Sequence, residues 1–360
     1  MDNDGYNNRE VRVLNIKLNE DKFHIRVFFA PCACHCKFCC LGDYSHNKKI
    51  TFEDYENVLH KFANIQSEYG MRLRSFIYNC PEHDYIAKQI ALYDSLSMER
   101  TEYTQLDLNG TRIKSSKEIE TWIDYLIKSG VEKIAFSWFG CEETHDEFVH
   151  KKGYFSYLKE CAQIARSKGI PVISKVFLHK KIIKEMVPLL EELDTFSTSI
   201  IVAFMEYSGN AKYMENDFLT HDDFESLPPS VKVHMRPSYI SKFKTEREWI
   251  DLAKKSHFPQ FNIVDYVLYI DSDNIDSILK TDVSDIIQSF RKMNSVFQNS
   301  FGTIAELASV YGNTQCEILY ECRDILRKWL DKYYDDKKLD KTKLFSFTHS
   351  SVEWKAYERL

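Results

Sequence analysis

The sequence predicts an α/β fold, in which parallel strands alternate with helices, followed by a mostly helical region. Three observations predict it. Between about residues 23 and 210, six short stretches rich in β-branched and aromatic residues alternate with amphipathic stretches of helical period. Hydrophobic residues make up 44% of the 360 residues, which is enough for a large core. Strands that alternate with helices indicate a parallel sheet with the helices outside it.

The strand–helix units follow one another in chain order. Strands are predicted over residues 23–29, 73–78, 103–108, 131–138, 171–178 and 197–205, and helices over residues 52–69, 84–98, 118–128, 154–168 and 182–193. Thr51 is the predicted N-cap of the first helix, and Gly70, Gly130 and Gly169 each end a helix. A short alternating stretch at residues 11–16 is a candidate edge strand.

The pattern changes after residue 210. Residues 211–230 are rich in turn-forming residues and include Pro228 and Pro229. Strands are then predicted over residues 231–235 and 266–270, and helices over residues 283–297 and 315–334. The sequence therefore predicts three parts: an N-terminal extension (1–22), the alternating unit (23–210) and a C-terminal extension (211–360).

Charge and composition exclude several classes of protein. The formal net charge is -6, with acidic and basic residues interleaved and no basic run, which argues against nucleic-acid binding. No stretch of about 18 uncharged apolar residues predicts a membrane-spanning helix, and the polar, acidic start of the chain lacks a signal-peptide pattern. We therefore expect a cytoplasmic protein, whose ten cysteines are metal ligands or free thiols rather than disulfides.

A dense group of cysteines follows the first predicted strand. Residues 32–40 read Cys-Ala-Cys-His-Cys-Lys-Phe-Cys-Cys, and within them Cys32, Cys36 and Cys39 have the spacing C-x3-C-x2-C. Three thiolates on one tight loop can hold three irons of a cubane cluster and leave the fourth iron open for another molecule. Parallel α/β folds place active sites at the carboxyl ends of their strands. The spacing therefore predicts an iron–sulfur site here.

A zinc site is the alternative interpretation of the same cysteines. Zinc requires four closed ligands in a structural site, and Cys34, His35 or Cys40 would supply the fourth. The chain would then be a non-enzymatic zinc-binding protein with a structural cysteine loop. A disulfide framework fits less well, because thiols this close in sequence rarely all pair with acceptable geometry.

The cysteine spacing, together with the aromatic Phe38 before the last cysteine, resembles the radical S-adenosylmethionine (SAM) superfamily. The resemblance implies a partial (β/α)6 TIM-like barrel over residues 23–210, open on one side, with a mostly helical C-terminal extension covering the opening. It also implies a [4Fe-4S] cluster on Cys32, Cys36 and Cys39, SAM bound at the open iron, and an electron donor such as a reductase, a flavodoxin or a ferredoxin. In this register Cys34 and Cys40 are not ligands.

The resemblance further implies, by position, which residues contact SAM. They are Phe38, Asn79, Glu82, Ser137, Ser174, Lys175 and Glu206. An ammonium group favours a nearby carboxylate such as Glu82, and a carboxylate in a partly dry cavity favours a cation such as Lys175. Simpler interpretations stay open: a helix-start acid for Glu82, a strand-end serine satisfied by backbone for Ser137, and a solvated lysine for Lys175.

The implied reaction begins with reductive cleavage of SAM to a 5'-deoxyadenosyl radical, which abstracts hydrogen from an unactivated C–H bond. Ser137, Gly140 and the pair His145-Asp146 resemble peptide-modifying members of the superfamily, although Phe139 replaces the usual aspartate before the glycine. His145 and Asp146 also suit a turn and a helix cap, and we assign them no catalytic role.

The substrate implied by this resemblance is a peptide, modified as a ribosomal peptide or epimerised; a small metabolite is the alternative. Cys80 and Cys141, at predicted strand ends, are candidate hydrogen-atom donors for epimerisation. Peptide-modifying members often carry auxiliary clusters in the C-terminal region. This chain has only Cys316 and Cys322 there, so we predict no auxiliary cluster.

Overall fold

The structure is a computed structural model that describes residues 19–39, 48–78, 85–98, 105–259, 261–262, 264–300, 302–338 and 355–356. The strands are β1 (Asn19–Phe28), β2 (Arg72–Tyr78), β3 (Leu106–Asp107), β4 (Ile134–Trp138), β5 (Val172–Leu178), β6 (Ser199–Phe204), β7 (Phe243–Thr245), β8 (Phe261–Asn262), β9 (Val264–Ile270), β10 (Leu319–Glu321) and β11 (Lys355–Ala356).

Helices occupy most of the connections between the strands. They are α1 (Phe52–Lys61), α2 (Ile65–Tyr69), α3 (Tyr85–Ser95), α4 (Ser116–Lys128), α5 (Glu142–Val149), α6 (Tyr154–Ser167), α7 (Met186–Asp194), α8 (His221–Glu225), α9 (Pro229–Lys232), α10 (Pro237–Ile240), α11 (Glu246–Lys254), α12 (Ile275–Lys280), α13 (Val283–Ser300), α14 (Ile304–Tyr311) and α15 (Cys322–Asp336). Two 3-10 helices, Lys180–Glu185 and Gly209–Asp217, precede α7 and follow β6.

The long strands form two parallel sheets. One sheet has the order β3-β4-β5-β6 and the other the order β2-β1-β9. All pairings within both sheets are parallel. Helices connect these strands, as in the partial barrels of the resembled superfamily, and the predicted α/β class is confirmed.

The C-terminal region contributes a strand, β9, to the second of these sheets. β9 lies beside β1, with Phe23 opposite Tyr266 on one side and opposite Leu73 of β2 on the other. The strand predicted over residues 266–270 is therefore confirmed. The division of the chain at residue 210, and the covering role of the region beyond it, stay predictions; what this region supplies is a strand beside β1.

Side chains of the parallel strands alternate between two faces. In β5, Val172, Ser174 and Val176 are fully buried, whereas Lys175 and Phe177 are half-buried on the opposite face. The buried face packs against the helices outside the sheet. The half-buried face is therefore the inner one, toward the barrel interior.

Helix α4 shows how the sequence specifies its local structure. Ser115 and Glu118 form a capping box at its N-terminus, with the Ser115 N–H donating to Glu118 Oε2 (2.9 Å). The buried residues Ile119, Trp122, Ile123 and Leu126 have helical spacing and lie on one face. Full burial of each such side chain stabilises the fold by roughly 1.5–3 kcal/mol.

Several predicted elements differ in the structure. The helix predicted over 52–69 breaks into α1 and α2 around a turn at residues 62–64. The strand predicted over 231–235 is wrong, because Pro229 occupies the first turn of α9, where a missing N–H is tolerated. The helix predicted from residue 315 begins instead at Cys322, since residues 319–321 pair antiparallel with β7. The stretch at 11–16 lies outside the described residues.

Candidate functional site

The cysteine loop, residues 32–39, is held in place by backbone hydrogen bonds from three other parts of the chain. The bonds run from Ala33 N to Gly110 O (2.7 Å), from His35 N to Val149 O (3.0 Å), from Lys37 N to Phe148 O (3.0 Å) and from Asn210 N to Cys39 O (2.9 Å). The partners lie after β3, at the end of α5 and after β6. Because these bonds use backbone groups, the thiols of the loop remain available for chemistry.

Gly110 allows the loop to approach the end of β3. It has φ +75°, a conformation that residues with a side chain rarely adopt, and a Cβ built on it would lie 2.4 Å from Cys32 Sγ. The Asn109-Gly110 dipeptide therefore does more than form a turn. Its glycine leaves room for the first thiol of the motif.

Phe38 is the center of an aromatic cluster under the loop. Its ring centroid lies 4.2 Å from that of Phe139, 5.2 Å from Phe148 and 6.2 Å from Phe177. These contacts fix the backbone between Cys36 and Cys39. They also explain Phe139, which stands where peptide-modifying relatives carry an aspartate: here the position supplies an aromatic partner for Phe38.

Two buried histidines hold the Phe139 peptide group. His145 Nδ1 accepts from the Phe139 N–H (3.2 Å), so its ring proton is on Nε2, and His179 Nε2 donates to Phe139 O (3.3 Å). Burial lowers the pKa of His145 to about 3 and also lowers the pKa of His179. Asp146 accepts from the Phe155 N–H (2.8 Å) and Gly153 N–H and so caps α6. The His145-Asp146 pair is therefore structural here.

Two polar pairs link the ends of β3 and β4 with the middle of β5. Asn109 and Ser137 are joined twice: the Ser137 N–H donates to Asn109 Oδ1 (2.9 Å) and Asn109 Nδ2 donates to Ser137 Oγ (3.1 Å). Lys175, directly opposite Ser137 in the β4–β5 register, pairs with Asp107 at 2.8 Å. The structure therefore brings Ser137 and Lys175 together on one face, with Asn109 and Asp107 as partners.

Ser174 lies on the other face of β5. It is fully buried, and its hydroxyl contacts Trp138 Nε1 (3.0 Å) and Ser197 Oγ (2.7 Å). The neighbouring residues of a strand point to opposite faces, so Ser174 and Lys175 do not share a surface. The structure does not bring Ser174 to the inner wall with Ser137 and Lys175, and its SAM contact stays a prediction.

Two further predicted residues have partners within the protein. Glu206, just after β6, forms an ion pair with Arg323 of α15. Cys141 is the N-cap residue of α5; its N–H donates to Glu185 Oε2 (2.8 Å) and its thiol lies 3.9 Å from Glu185 O. Burial, and then the charge of Glu185, raise the pKa of the Cys141 thiol to about 11. Asn79, Cys80 and Glu82 lie outside the described residues.

None of the described cysteines is in a disulfide, and Cys32, Cys36 and Cys39 are half-buried. A hydrogen bond with the Cys34 thiol, and then burial, raise the pKa of Cys32. The hydrogen bond with Cys32 lowers the pKa of Cys34, but that with Cys36 and burial raise it more, to about 12.

This donor set fits an iron–sulfur cluster held by three protein ligands. In the part of the chain that the structure describes, no three His, Cys, Asp or Glu side chains converge to hold a single metal ion. A cubane does not need such convergence, because each thiolate binds a different iron. The absence of a side chain on Gly110 leaves room for the Cys32 sulfur itself.

Some residues of this site were not predicted. Asn109 is not among the predicted SAM-contacting residues, although an Asn-Gly turn at the end of a predicted strand is a usable signal. Tyr154 and Lys151, from the start of α6 and the turn before it, contact the backbone of Thr111: the Tyr154 hydroxyl accepts from the Thr111 N–H (3.1 Å) and Lys151 Nζ donates to Thr111 O (3.4 Å). Their position depends on how α6 packs, and no local pattern in the sequence indicates it.

Comparisons with known proteins agree with the geometry of the loop. Residues 27–193 match the family model of the radical SAM superfamily. No sequence among curated proteins matches the chain. No helix within the described ranges is long and apolar enough to cross a membrane.

Solved structures give more distant likenesses. Native anSMEcpe with bound AdoMet has 14% identity and a TM-score of 0.49, with 88% of this chain and 97% of that chain covered. Streptococcus suis SuiB bound to precursor peptide SuiA has 14% identity and a TM-score of 0.37, with 52% of this chain covered; the chain spans 40% of the length of that protein. Coproporphyrinogen III oxidase (HemN) from Escherichia coli has 14% identity and a TM-score of 0.37, covering 60% of this chain and 50% of that one. At these TM-scores the likenesses add nothing to the fold already described.

Proposed function

We propose that this chain, whose residues 27–193 match the radical SAM family model, is an enzyme of that superfamily that uses Cys32, Cys36 and Cys39 to hold its cluster and acts on a peptide substrate. Its cofactors are a [4Fe-4S] cluster and SAM. When bound, they supply a carbon-centred radical that removes a hydrogen atom from the substrate. The single observation that carries the proposal is the cysteine loop, which three other parts of the chain fix at the carboxyl ends of parallel strands.

The residues beside the loop have distinct roles in this proposal. Ser137, oriented by Asn109, offers a hydroxyl for hydrogen bonds with SAM. Lys175 offers a cation for the carboxylate of SAM. Asp107 holds the Lys175 ammonium group in position until SAM binds. Phe38 and its aromatic neighbours keep water away from the side of the cluster they cover.

A cleft beside β6 supports a peptide substrate. β6 is the last strand of its sheet, and a cleft of about 320 Å³ lies against it, lined by Ile201, Val202, Ala203, Arg236, Ser238, Tyr239 and Lys242. The cleft combines an apolar strip with two cations, whereas the chain as a whole is acidic. An extended peptide with acidic residues suits such a surface.

Cleavage of SAM is the direct test. Protein reconstituted with iron and sulfide without oxygen, then given dithionite and SAM, is expected to form 5'-deoxyadenosine. Cys36→Ala is expected to abolish both cluster and product. Cys316→Ala, a half-buried cysteine near Tyr320, is the matched control and is expected to retain both. A colourless protein that holds zinc and leaves SAM intact would contradict the proposal.

The substrate class needs a separate test. A cell extract is separated by size into a peptide fraction and a small-molecule fraction, and each is added to the reconstituted enzyme. The peptide fraction is expected to stimulate formation of 5'-deoxyadenosine and to lose this effect after protease treatment. Arg236→Ala with Lys242→Ala is expected to weaken the stimulation without changing SAM cleavage in its absence. Stimulation by the small-molecule fraction alone would support the alternative, a metabolite substrate.

Epimerisation of the peptide is one outcome that this proposal includes. It requires a thiol that returns a hydrogen atom, and Cys80 and Cys141 remain the candidates. If Cys80→Ala and Cys141→Ala both leave the product and its deuterium content from heavy water unchanged, epimerisation through these thiols is wrong. The electron donor and a cytoplasmic location also stay predictions.

A further inference from the structure

We infer that the inner face of β1 and β2 binds an acidic segment of the peptide substrate. The inference rests on the proposed function, because it places the peptide of that proposal inside the barrel. It concerns basic side chains to which the proposal gives no role. This basic wall consists of five inner-facing residues: Lys22, His24, Arg26, Arg72 and Arg74.

The two faces of β1 differ in chemistry. Phe23 is fully buried, and its ring stacks on that of Phe62, just after α1, with the centroids 4.8 Å apart. The face that carries Phe23 is therefore the outer one, which packs against the helices. Successive side chains of a strand point to opposite faces, so the inner face carries the residues on either side of Phe23 and the next one along: Lys22, His24 and Arg26.

The neighbouring strand β2 continues this pattern. Arg72 lies directly opposite Lys22 in the parallel register, and residues paired in this way share a face. Arg74 lies opposite His24, on a strand about 4.8 Å away. Every inner-facing position from 22 to 26 and from 72 to 74 thus carries a basic side chain, whereas the whole chain has a formal net charge of -6.

The basic wall is positive at neutral pH. Burial, and then the charges of Arg26, Arg74 and Lys22, lower the pKa of His24 to about 3, so this histidine is neutral. Three cations therefore surround one neutral ring. Like charges on a partly dry surface repel one another, and an anion that binds beside them lowers this cost.

The basic wall is open toward the barrel interior. Phe76, which lies opposite Arg26 on the same face, is 40% exposed. Arg72 pairs with Asp21 at 3.2 Å, and both side chains are 46% exposed. An exposed aromatic ring beside cations on an inner face indicates a binding surface, because core packing would cover a phenylalanine.

The position of the basic wall favours a peptide as its occupant. Cys32 follows Arg26 by six residues in the sequence, so the two lie at most about 20 Å apart. An extended peptide of about six residues spans that distance, and one end can contact the wall while the other lies beside the cysteine loop. Guanidinium groups bind carboxylates in bidentate geometry. Aspartate or glutamate residues a few positions from the modified residue therefore suit this wall.

The test is the binding of two fluorescein-labelled hexapeptides, hexaglutamate and hexaglutamine, to the full-length reconstituted protein, followed by fluorescence anisotropy. We expect hexaglutamate to bind at least about tenfold more tightly, and this preference to decline as the salt concentration rises. Arg74→Gln is expected to weaken the binding of hexaglutamate about tenfold. Arg72→Gln, at a more exposed position, is expected to weaken it about threefold.

Two controls isolate the basic wall. Each variant is also measured together with Arg236→Ala and Lys242→Ala, so that binding at the cleft beside β6 does not mask the wall. Arg166→Gln is the matched control, because Arg166 is an exposed arginine of α6, outside the sheet, and its guanidinium donates to Thr198 Oγ1 (3.2 Å). Its affinity for hexaglutamate is expected to equal that of the wild type.

Three results would overturn the inference. The first is an unchanged affinity for hexaglutamate in both Arg74→Gln and Arg72→Gln once the cleft residues are removed. The second is equally tight binding of hexaglutamine. The third is displacement of hexaglutamate by an equal concentration of succinate, which would make the occupant a small dianion. Arg72→Gln replaces a half-exposed side chain, so the test stands even if Arg74→Gln does not fold. Binding is measured without SAM cleavage, so failure of the basic wall and failure of the proposed function are distinguishable.

Discussion

The cysteine loop and helix α15 are fixed by opposite means. The loop is held through its backbone, by bonds to Gly110, Phe148, Val149 and Asn210, and none of its described cysteines is in a disulfide. α15 is held through its side chains, since it buries four charged residues: Asp324, Arg327, Lys328 and Asp331.

The charged side chains of α15 have partners both within the helix and on other elements. Arg327 donates to Tyr207 O (2.7 Å) and lies 3.3 Å from Asp324, while Arg323 pairs with Glu206 after β6. Side chains used in this way are not available for chemistry. The comparison teaches that backbone anchoring does not use the thiols of the loop, whereas α15 uses its polar side chains to stay in place.

The largest expected effect on stability comes from breaking the buried ion pair between Lys328 of α15 and Glu246. Lys328 is 5% exposed and its Nζ lies 2.7 Å from Glu246 Oε2, also contacting Glu215 and Tyr320. Lys328→Met leaves the fully buried Glu246 carboxylate without its cation, and we expect a loss of about 3–5 kcal/mol in the free energy of unfolding. Urea denaturation measures it.

The control for this prediction is an ion pair at the surface. Lys168→Met removes a partner of Asp124 whose side chain is 61% exposed, and the expected loss is about 0–1 kcal/mol. Equal losses in the free energy of unfolding of Lys328→Met and Lys168→Met would mean that burial does not make the ion pair of Lys328 contribute more to stability.

The next effect comes from closing the space beside Cys32. Gly110→Ala combines a positive φ with a Cβ 2.4 Å from Cys32 Sγ. We expect a loss of stability of about 1–2 kcal/mol from the backbone conformation, and in addition a large loss of iron after reconstitution because the thiol must move.

Gly130→Ala is the matched control for Gly110→Ala. Gly130 has φ +88° and no atom within 4 Å of a built Cβ. This variant should lose a similar amount of stability and retain its iron. If Gly110→Ala also retains iron, the close approach of Gly110 does not matter for the site.

An intermediate loss in the free energy of unfolding is expected when the pH is lowered. His145 has a pKa lowered to about 3 by burial, against 6.5 for the ordinary group, so the unfolded chain binds a proton that the folded chain rejects. Its contribution to stability is complete above pH 6.5 and declines as pH falls toward 3, by about 1.4 kcal/mol per pH unit. Urea denaturation of apo protein at pH 5 and pH 7.5 measures it. His145→Gln should be less stable at pH 7.5 but show a weaker pH dependence, and equal slopes would refute the prediction.

The smallest effect on stability is expected at the inner face of β5. Lys175→Ala removes a partly exposed ion pair, so the free energy of unfolding should change by about 1 kcal/mol or less. The affinity of this variant for SAM, measured by equilibrium dialysis with labelled SAM, is expected to fall about tenfold, while its iron content stays constant.

Ser174→Ala tests the opposite face of the same strand. Its hydroxyl contacts Trp138 and Ser197, so we expect a loss of about 1–2 kcal/mol in stability and unchanged SAM binding. Lys175→Ala should thus weaken SAM binding with little loss of stability, and Ser174→Ala should lower stability without changing SAM binding. Weaker SAM binding in Ser174→Ala would instead favour the role predicted for it from the resemblance.

Local signals determined much of this protein. The alternation of strands and helices predicted the α/β class, and the spacing of Cys32, Cys36 and Cys39 with Phe38 predicted the family. Capping residues such as Thr51 and Ser115 start the helices near the predicted places. These features follow from the sequence because period, capping and ligand spacing depend on residues close together in the chain.

The tertiary structure decided the rest. Alternation places Ser174 and Lys175 on opposite faces, but only the packing of helices on one side shows which face is the inner one. The pairing of β9 with β1 joins residues far apart in sequence, and no local pattern specifies it. The hydrogen bond from the Thr111 N–H to the Tyr154 hydroxyl depends on the docking of α6 against the segment after β3. These features depend on which distant segments meet, and the free energy that selects them comes from burial across the whole fold.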